Sequence, residues 1–462
     1  MPEPKFTRRT FLMGAAAGTA AALTNKRIVP FYGPNRVMAN SKLNIAGIGV
    51  GGKGRTDVNG CADENIVALC DVDWRSRRRG PSAETFERFP KAARYKDFRH
   101  MLDKEKSIDA VTVTTPDHTH TVAASWAMSL GKHVYVQKPL TYCIGEARYL
   151  RELARYTGVV TQMGNQGHSW NGTRDLCEII WSGAIGDVKE VHIWTNRPVW
   201  PQGIAKRPAT EDIPKELNWD LWLGPAPHRP YSSKYAPFSW RGWWDFGCGA
   251  LGDMACHIAD PANWALHLSD TGPISAELIT EEGNNKETFP TKSVIKYEFP
   301  KRRNMPPVDV YWHDGGNLPP RPEGVPEGEL LGEGDNGSLF IGTKGGATCD
   351  TYGDNARLLP AARMKDFQKP ERTLPRIEPG DKWKSPYVEW TNAIKNGIQP
   401  GSNFDYSGPF TEWVVMGNLT LRFPGQKLEW DAKDMRVTNV PEANDFITRE
   451  YRKGWELPKI PT

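Results

Sequence analysis

The sequence predicts an α/β protein with an N-terminal doubly wound parallel sheet and a larger second domain. Three observations support this fold class. Short apolar runs alternate with helical segments from Leu43 to Met163, a glycine-rich turn follows the first run, and beyond Asp187 apolar and polar residues alternate. A chain of 462 residues also exceeds what one core ordinarily supports. We therefore predict a first domain over residues 41–164 and a second over residues 165–462.

The first domain is predicted from strand-like runs and the helices between them. Helices between successive strands imply right-handed crossovers, which place the strands parallel in one sheet. Ligands of such sheets bind beyond the carboxyl ends of the strands. The predicted strands are 43–47, 66–70, 109–115, 133–136 and 159–163, and the predicted helices are 119–130 and 144–156.

The glycine-rich turn points to a dinucleotide. We assign a GxGxxG motif to Gly47, Gly49 and Gly52, where the glycines permit a tight turn, close approach of a pyrophosphate, and packing of helix on strand. Asp71 ends the second strand and would accept hydrogen bonds from ribose hydroxyls, which favours NAD over NADP. NADP stays open because Arg75 could bind a 2′-phosphate. These residues predict a Rossmann domain.

Two further segments follow strand ends and should border the same cleft. The first runs from Thr115-Pro116 to His120, and the second is Gln137-Lys138-Pro139. We predict cofactor contacts for Thr115, Pro116, His120, Gln137 and Lys138, with His120 capping or packing rather than reacting.

A candidate proton-transfer pair lies in the second domain. Asp253 and His257 are four residues apart in a predicted helix that follows several glycines, so they share one helix face. An aspartate beside a histidine orients the ring and raises its proton affinity, as a general base requires. The same spacing also fits a helix cap beside a surface histidine, or two metal ligands; we predict no metal.

These motifs together resemble the glucose–fructose oxidoreductase, inositol dehydrogenase and MocA family (Gfo/Idh/MocA). The similarity includes the glycine loop, the segment ending at His120, the run Gly249–His257, and Gln137-Lys138-Pro139, where the family usually has Glu-Lys-Pro. The resemblance implies a Rossmann domain followed by an α/β domain with an open, mostly antiparallel sheet whose exposed face often joins subunits. We therefore expect a homo-oligomer. Helical spacing over residues 387–395 and 409–421 predicts two C-terminal helices, which we expect to pack back on the Rossmann domain.

The resemblance also implies an NAD(P)-dependent oxidoreductase acting on a secondary alcohol of a sugar, polyol or glycoside. Lys138 would hold and polarise the substrate oxygen, while His257 and Asp253 handle the proton. An NAD-cycling glycoside hydrolase or lyase, which oxidises transiently and then eliminates, would use the same residues. A nucleotide-binding sensor is the third alternative, and the presence of Lys138, Asp253 and His257 argues against it.

Three more residues are candidate substrate contacts. Gln166 and His168 follow the last predicted strand of the first domain, although His168 fits a structural loop histidine equally well. Trp243 precedes the Asp253 segment in a chain with 18 tryptophans, and it suits either stacking on a sugar or burial in the core.

Composition and the first residues bear on location and partners. Arg8 and Arg9 precede a mild apolar run, and Val37-Met38-Ala39 resembles a cleavage site, so residues 1–39 are predicted to be a twin-arginine signal. That route exports folded proteins, and we therefore expect a periplasmic or otherwise exported enzyme with tightly bound cofactor and no membrane span once mature. A net charge of +4 without a basic stripe argues against nucleic acid.

Overall fold

A computed structural model describes residues 33–34, 41–75, 82–377 and 380–461. The predicted twin-arginine signal and its cleavage site lie outside these described residues. Within them, no helix combines the length and the apolar character that crossing a membrane requires. The chain forms two sheets, one of six strands and one of nine.

The first sheet is fully parallel and has the strand order β3-β2-β1-β4-β5-β6, which confirms the predicted doubly wound domain. The order reverses between β1 and β4, and such a switch point opens a crevice beyond the strand ends. The strands are β1 Asn44–Ile48, β2 Asn65–Cys70, β3 Ala93–Tyr95, β4 Ala110–Val113, β5 His133–Val136 and β6 Thr161–Met163. The helices are α1 Lys53–Gly60, α2 Ala83–Arg88, α3 Phe98–Lys104, α4 Asp117–Ser129 and α5 Ile144–Thr157.

The second sheet is mixed and mostly antiparallel, with the order β13-β12-β11-β7-β10-β9-β8-β14-β15. Among its described pairings, that of β7 with β10 is parallel and the others are antiparallel. Its strands are β7 Val188–Trp194, β8 Ser275–Glu282, β9 Lys292–Phe299, β10 Val308–His313, β11 Gly337–Gly342, β12 Gly345–Cys349, β13 Arg357–Leu359, β14 Leu428–Asp431 and β15 Arg436–Val437. The remaining helices are α6 Asn171–Trp181, α7 Trp219–Leu223, α8 Gly249–Ile258, α9 Asp260–Ala265, α10 Ser385–Asn396 and α11 Phe404–Thr420.

One face of this sheet is packed and the other is partly open. Along β9, Ile295, Tyr297 and Phe299 are buried, and the last two stack edge-on against Trp413 of α11. The alternate residues Lys296 and Glu298 are partly exposed. The period of two therefore leaves one face for helices and one outward face.

The helices α10 and α11 return to the first domain. Trp390 of α10 is fully buried, and its ring lies 5.6 Å from that of Tyr135 in β5. From α11, the Glu412 carboxylate accepts from both Arg148 Nε and Nη2 at 2.7 Å. These contacts join the C-terminal part of the chain to the Rossmann domain.

A loop-rich stretch over residues 198–237 reaches across to the end of β2. Its middle, residues 214–224, is here termed the crossing segment. Leu217 forms an isolated antiparallel bridge with Asp73, and the Asn218 amide donates to the Val72 carbonyl at 2.9 Å. The crossing segment is thereby fixed over the carboxyl end of β2.

Candidate cofactor cleft and active site

A cleft of about 620 Å³ lies beyond the carboxyl ends of β1, β2, β4 and β5. Both domains contribute to its walls. The first domain supplies Gly49, Gly52, Asp71, Thr115, Pro116, Gln137 and Lys138, and the second supplies Gln166, Arg197, Trp240, Arg241, Asp253, His257 and Tyr352. The cleft thus brings most of the predicted site residues into one space.

The glycine turn that floors the cleft begins two residues later than predicted. Gly47 lies inside β1, where a Cβ would sit 2.7 Å from Val50, and it is not one of the described residues that line the cleft. The turn starts at Gly49, whose φ is +74° and whose added Cβ would lie 2.6 Å from the Thr114 carbonyl oxygen. The predicted register, which began the motif at Gly47, is therefore corrected.

The close approach of helix and turn falls on Gly54 rather than on Gly52. A Cβ on Gly54 would lie 1.9 Å from the Gly49 carbonyl oxygen, so no larger residue fits there without moving the backbone. Gly52 instead precedes α1 with φ +51° and lines the cleft. A glycine turn that leads into a helix N-terminus is a site at which a pyrophosphate can bind.

Asp71 is tied into the glycine turn. Its carboxylate accepts from the Val50 amide at 2.8 Å, the Gly51 amide at 3.1 Å and the Asp73 amide at 2.9 Å. Burial raises its pKa to about 6 although these bonds oppose the rise. The guanidinium of Arg75 is held by Asp73 at 2.6 and 2.7 Å, so the cation that could bind a 2′-phosphate already has a carboxylate partner.

Gln137 joins a buried carboxylate on α1. Its side-chain amide donates to Asp57 Oδ2 at 2.9 Å, and Thr114 donates to the same oxygen at 2.7 Å. Asp57 Oδ1 accepts from Tyr387 of α10 at 2.7 Å and pairs with Lys53 at 2.9 Å. Asp57 thus connects the glycine turn, the end of β4, the Lys138 segment and the C-terminal helices.

His120 holds the two cleft-bordering segments together. Its Nδ1 lies 2.9 Å from the Pro139 carbonyl oxygen and its Nε2 lies 2.9 Å from that of Thr115. The ring is buried, which lowers its pKa, and it is absent from the described lining of the cleft. Thr115 does line the cleft, and its buried hydroxyl has no hydrogen-bond partner among the described residues.

Lys138 and Asp253 form an ion pair across the two domains. Lys138 Nζ lies 2.9 Å from Asp253 Oδ1 and 2.5 Å from the Asp253 carbonyl oxygen, and Arg241 Nε approaches the same Oδ1 at 3.2 Å. Burial alone would raise the pKa of Asp253, but the charges of Lys138 and Arg241 outweigh it and hold that pKa well below its ordinary value. This carboxylate therefore stays ionised and fixes the ammonium.

His257 lies one turn beyond Asp253 on α8 and lines the same cleft. Its buried Nδ1 has no hydrogen-bond partner among the described residues, and its ring packs against Tyr352 at 5.0 Å between centroids. Burial, followed by the charge of Lys138, lowers its pKa well below the ordinary value. The predicted orienting bond from Asp253 is not present, because that carboxylate contacts Lys138 and Arg241 instead.

The remaining candidates occupy different places. Gln166 lines the cleft, and its buried Oε1 has no partner in the described part of the chain. His168 lies outside the cleft lining, where its Nδ1 is 3.0 Å from Asp260 and its ring stacks on Trp264 at 4.4 Å. Trp243 is also outside the lining; it is 1% exposed and packs on Tyr235.

Several cleft residues have no counterpart in the sequence prediction. Asp117 lies within the predicted segment from Thr115 to His120, but nothing in its local pattern distinguished it. Tyr352 follows β12, about a hundred residues from α8, and only the folded sheet brings it to His257. Among the described residues, no three or more histidine, cysteine or acidic side chains form a group that could hold a metal ion.

Comparison with known proteins agrees with this geometry. A family model described as an oxidoreductase family NAD-binding Rossmann fold matches residues 43–165, and one described as the C-terminal alpha/beta domain of the oxidoreductase family matches residues 186–301. The inositol 2-dehydrogenase of Serratia proteamaculans is 28% identical over 39% of this chain and 54% of its own length. A glycosyl hydrolase family 109 protein of Saccharopolyspora erythraea is 30% identical over 40% of this chain and 44% of its own length.

Solved structures share the fold at low identity. GenD2 from gentamicin A biosynthesis, in complex with NAD, is 18% identical with a TM-score of 0.57 over 87% of this chain and 100% of its own. The WlbA dehydrogenase from Bordetella pertussis, in complex with NADH and UDP-GlcNAcA, is 16% identical with a TM-score of 0.56 over 84% and 99%. The sequence matches span about half the length of the curated relatives. The two family models and the shared fold place this chain in the Gfo/Idh/MocA family of oxidoreductases, with an NAD-binding Rossmann domain.

Proposed function

We propose that this protein is an NAD-dependent oxidoreductase that acts on a secondary alcohol of a sugar, polyol or glycoside. The observation that carries the proposal is that Lys138, ion-paired with Asp253, and His257 line one cleft together with the glycine turn. An ammonium fixed by Asp253 and a buried, unprotonated imidazole are the two groups that alcohol oxidation requires from the protein. The family membership and the inositol 2-dehydrogenase relative support the same chemistry.

The cleft fits the cofactor. Gly49 and Gly54 allow the tight backbone packing of the turn and α1, because a Cβ at either would collide with a carbonyl oxygen. Asp71 keeps a carboxylate at the ribose position, and the Thr115 hydroxyl in the wall has no hydrogen-bond partner among the described residues. When bound, the nicotinamide supplies hydride acceptance and return. Asp71 favours NAD, and Arg75, the cation that could bind a 2′-phosphate, already pairs with Asp73. NADP stays the alternative.

The proton chemistry follows from the Lys138 ammonium and the neutral His257 ring. Lys138 donates to the substrate hydroxyl oxygen and stabilises negative charge that develops there. His257 accepts the hydroxyl proton, because its lowered pKa keeps the ring neutral at neutral pH. Asp253 keeps the ammonium in place through the 2.9 Å contact.

The ends of the cleft support a tightly bound cofactor. Leu221 and Trp222 of the crossing segment and Trp455 near the C-terminus line it beyond the end of β2. Trp455 is buried and stacks beneath Arg99 at 4.2 Å. A nucleotide there would contact both of these segments, which supports the cofactor retention expected of an exported enzyme.

A second candidate is an NAD-cycling glycoside hydrolase or lyase. The glycosyl hydrolase family 109 relative favours it. In such an enzyme the cofactor is reoxidised within each turnover and need not leave. Net reduction of the nicotinamide with an intact glycoside supports the dehydrogenase. Release of the aglycone without net reduction supports the cycling enzyme.

Assembly and export complete the proposal. The outward face of the nine-stranded sheet, with Lys296 and Glu298 partly exposed, is the surface through which we propose that copies associate. Light scattering of the purified protein tests this, since a monomer contradicts it. Export by the twin-arginine route is proposed from Arg8 and Arg9 and is tested by replacing both with lysine and assaying the periplasm.

The experiment that tests the proposed function is a sugar screen on protein purified with its bound cofactor. A change in nicotinamide absorbance on adding sugars, polyols or glycosides is the expected result. No change with any of them, and no product, would contradict the proposal.

A further inference from the structure

The substrate end of the cleft carries more positive than negative charge. Lys138 and Arg241 both lie against one carboxylate oxygen, Asp253 Oδ1, at 2.9 and 3.2 Å. Burial raises the pKa of the other carboxylate in this wall, Asp117, to about 7. Arg197 adds a third cation to the same lining.

The charge of Arg197 is unmatched. In the described part of the chain, no carboxylate lies within ion-pair distance of its guanidinium. One nitrogen, Nη1, donates to Asn196, and its Nε and Nη2 have no hydrogen-bond partner there. An arginine with an open pair of donors matches the two oxygens of a carboxylate or phosphate.

Arg197 lies on the His257 side of the cleft. Tyr352 packs on the His257 ring. The charges of Asp253 and Arg197 both act on the pKa of the Tyr352 hydroxyl. Burial raises the pKa of Tyr352, and Arg197 opposes that rise. The free cation is therefore near the groups proposed to act on the alcohol. Gln166 Oε1, buried and without a partner among the described residues, is an acceptor for a sugar hydroxyl in the same wall.

We propose that the substrate is an anionic sugar, whose carboxylate or phosphate is bound by Arg197 while Lys138 and His257 act on a hydroxyl. This rests on the proposed function, and it goes further by naming the substrate class. A neutral sugar would leave the Arg197 donors unused and two cations sharing one carboxylate.

The test compares matched ligands on the protein with its bound cofactor. Methyl glucoside, methyl glucuronide and glucose 6-phosphate are measured for binding by calorimetry and for turnover by nicotinamide absorbance. We expect the better anionic ligand to bind roughly 10- to 100-fold more tightly than the neutral one, the size of effect that charge-assisted hydrogen bonds give. Comparing the affinities of methyl glucuronide and glucose 6-phosphate shows whether the site prefers a carboxylate or a phosphate.

The variants are Arg197→Gln, Arg197→Lys and a control, Arg303→Gln, which removes an exposed arginine that pairs with Asp270 outside the cleft. Arg197→Gln should abolish the anion preference, Arg197→Lys should retain part of it, and the control should retain all of it. Unchanged cofactor content and thermal midpoint show that each variant is folded. Equal or tighter binding of the neutral sugar by the unmodified protein, or an anion preference that survives Arg197→Gln, overturns the inference. Anion-selective binding that depends on Arg197, without turnover of any sugar, would contradict the proposed function and leave standing only the anion-binding role of Arg197.

Discussion

The contact between Gln137 and Asp57 predicts that the residue usual in the family is harmful in this chain. Gln137→Glu places a second carboxylate where an amide now donates to Asp57 Oδ2 at 2.9 Å. Two like charges at that distance in a buried site cannot both persist. The introduced carboxyl must take up a proton or force the two side chains apart.

The magnitude follows from the protonation alternative. Protonating a carboxyl of ordinary pKa about 4.3 at pH 7 costs about 3.7 kcal/mol, at about 1.4 kcal/mol per pH unit. If the whole chain unfolds as one unit, this corresponds to a fall of about 4 °C in the thermal midpoint. Because the pKa of the introduced group is raised by folding, the destabilisation is absent below about pH 4.3 and grows as pH rises.

The assay is thermal unfolding of four proteins: the unmodified chain, Gln137→Glu, Asp57→Asn and the double variant. In the double variant an amide on residue 57 can donate to the new carboxylate, and its carbonyl oxygen can still accept from Tyr387 and Lys53. We expect the double variant to be more stable than Gln137→Glu at pH 7, with a smaller gap at pH 5. A single variant Gln137→Glu as stable as the unmodified protein at pH 7, or no recovery in the double variant, would refute the reasoning.

Four further predictions concern the cleft. Lys138→Met should lower kcat by about 10²- to 10⁴-fold with cofactor content unchanged, measured by turnover and by absorbance of the released nucleotide. The acid limb of the rate profile should lie at lower pH than the ordinary pKa of a histidine, because burial and the charge of Lys138 lower the pKa of His257. Lys138→Met removes one of those causes and should move any residual acid limb to higher pH, and a limb that does not move contradicts the assignment. Gly54→Ala should destabilise the protein by about 1–3 kcal/mol or more and yield protein without cofactor, because its Cβ would lie 1.9 Å from the Gly49 carbonyl oxygen. A variant that retains cofactor at the normal level would contradict this role of Gly54. Trp455→Ala should speed cofactor dissociation, followed by nucleotide fluorescence, whereas an exposed control such as Trp383→Ala should not.

Local patterns were enough for the Rossmann half. Helix and strand periods placed β5 at His133–Val136, and the other strands there fell within a few residues of their predicted bounds. The three-residue strand β3 was not predicted, because so short a run carries no period. The glycine register was misassigned because GIGVGGKG contains two overlapping GxGxxG patterns, and only the clash of a Cβ with a carbonyl oxygen separates them.

The site was predictable where a motif is continuous and not where it is assembled from distant segments. Lys138 and Asp253 are 115 residues apart in the sequence and form a direct contact in the fold. The local sequence motif around each residue identified it separately. Their direct ion pair, and hence the absence of an Asp253 bond to His257, depends on how the two domains pack. Asp57 and Tyr352 carry no recognisable motif, and their roles arise from contacts with Tyr387 and His257 that sequence spacing does not encode.

The central claim is that a nicotinamide on the Gly49 turn faces a carbohydrate hydroxyl held by Lys138 and His257. The most direct measurement uses a substrate from the sugar screen, deuterated at the reacting carbon, in a single turnover on protein with its bound cofactor, followed by mass spectrometry of that cofactor. We predict deuterium on the nicotinamide ring in the unmodified protein and little in Lys138→Met. Turnover of the deuterated substrate with no label ever reaching the cofactor would contradict it.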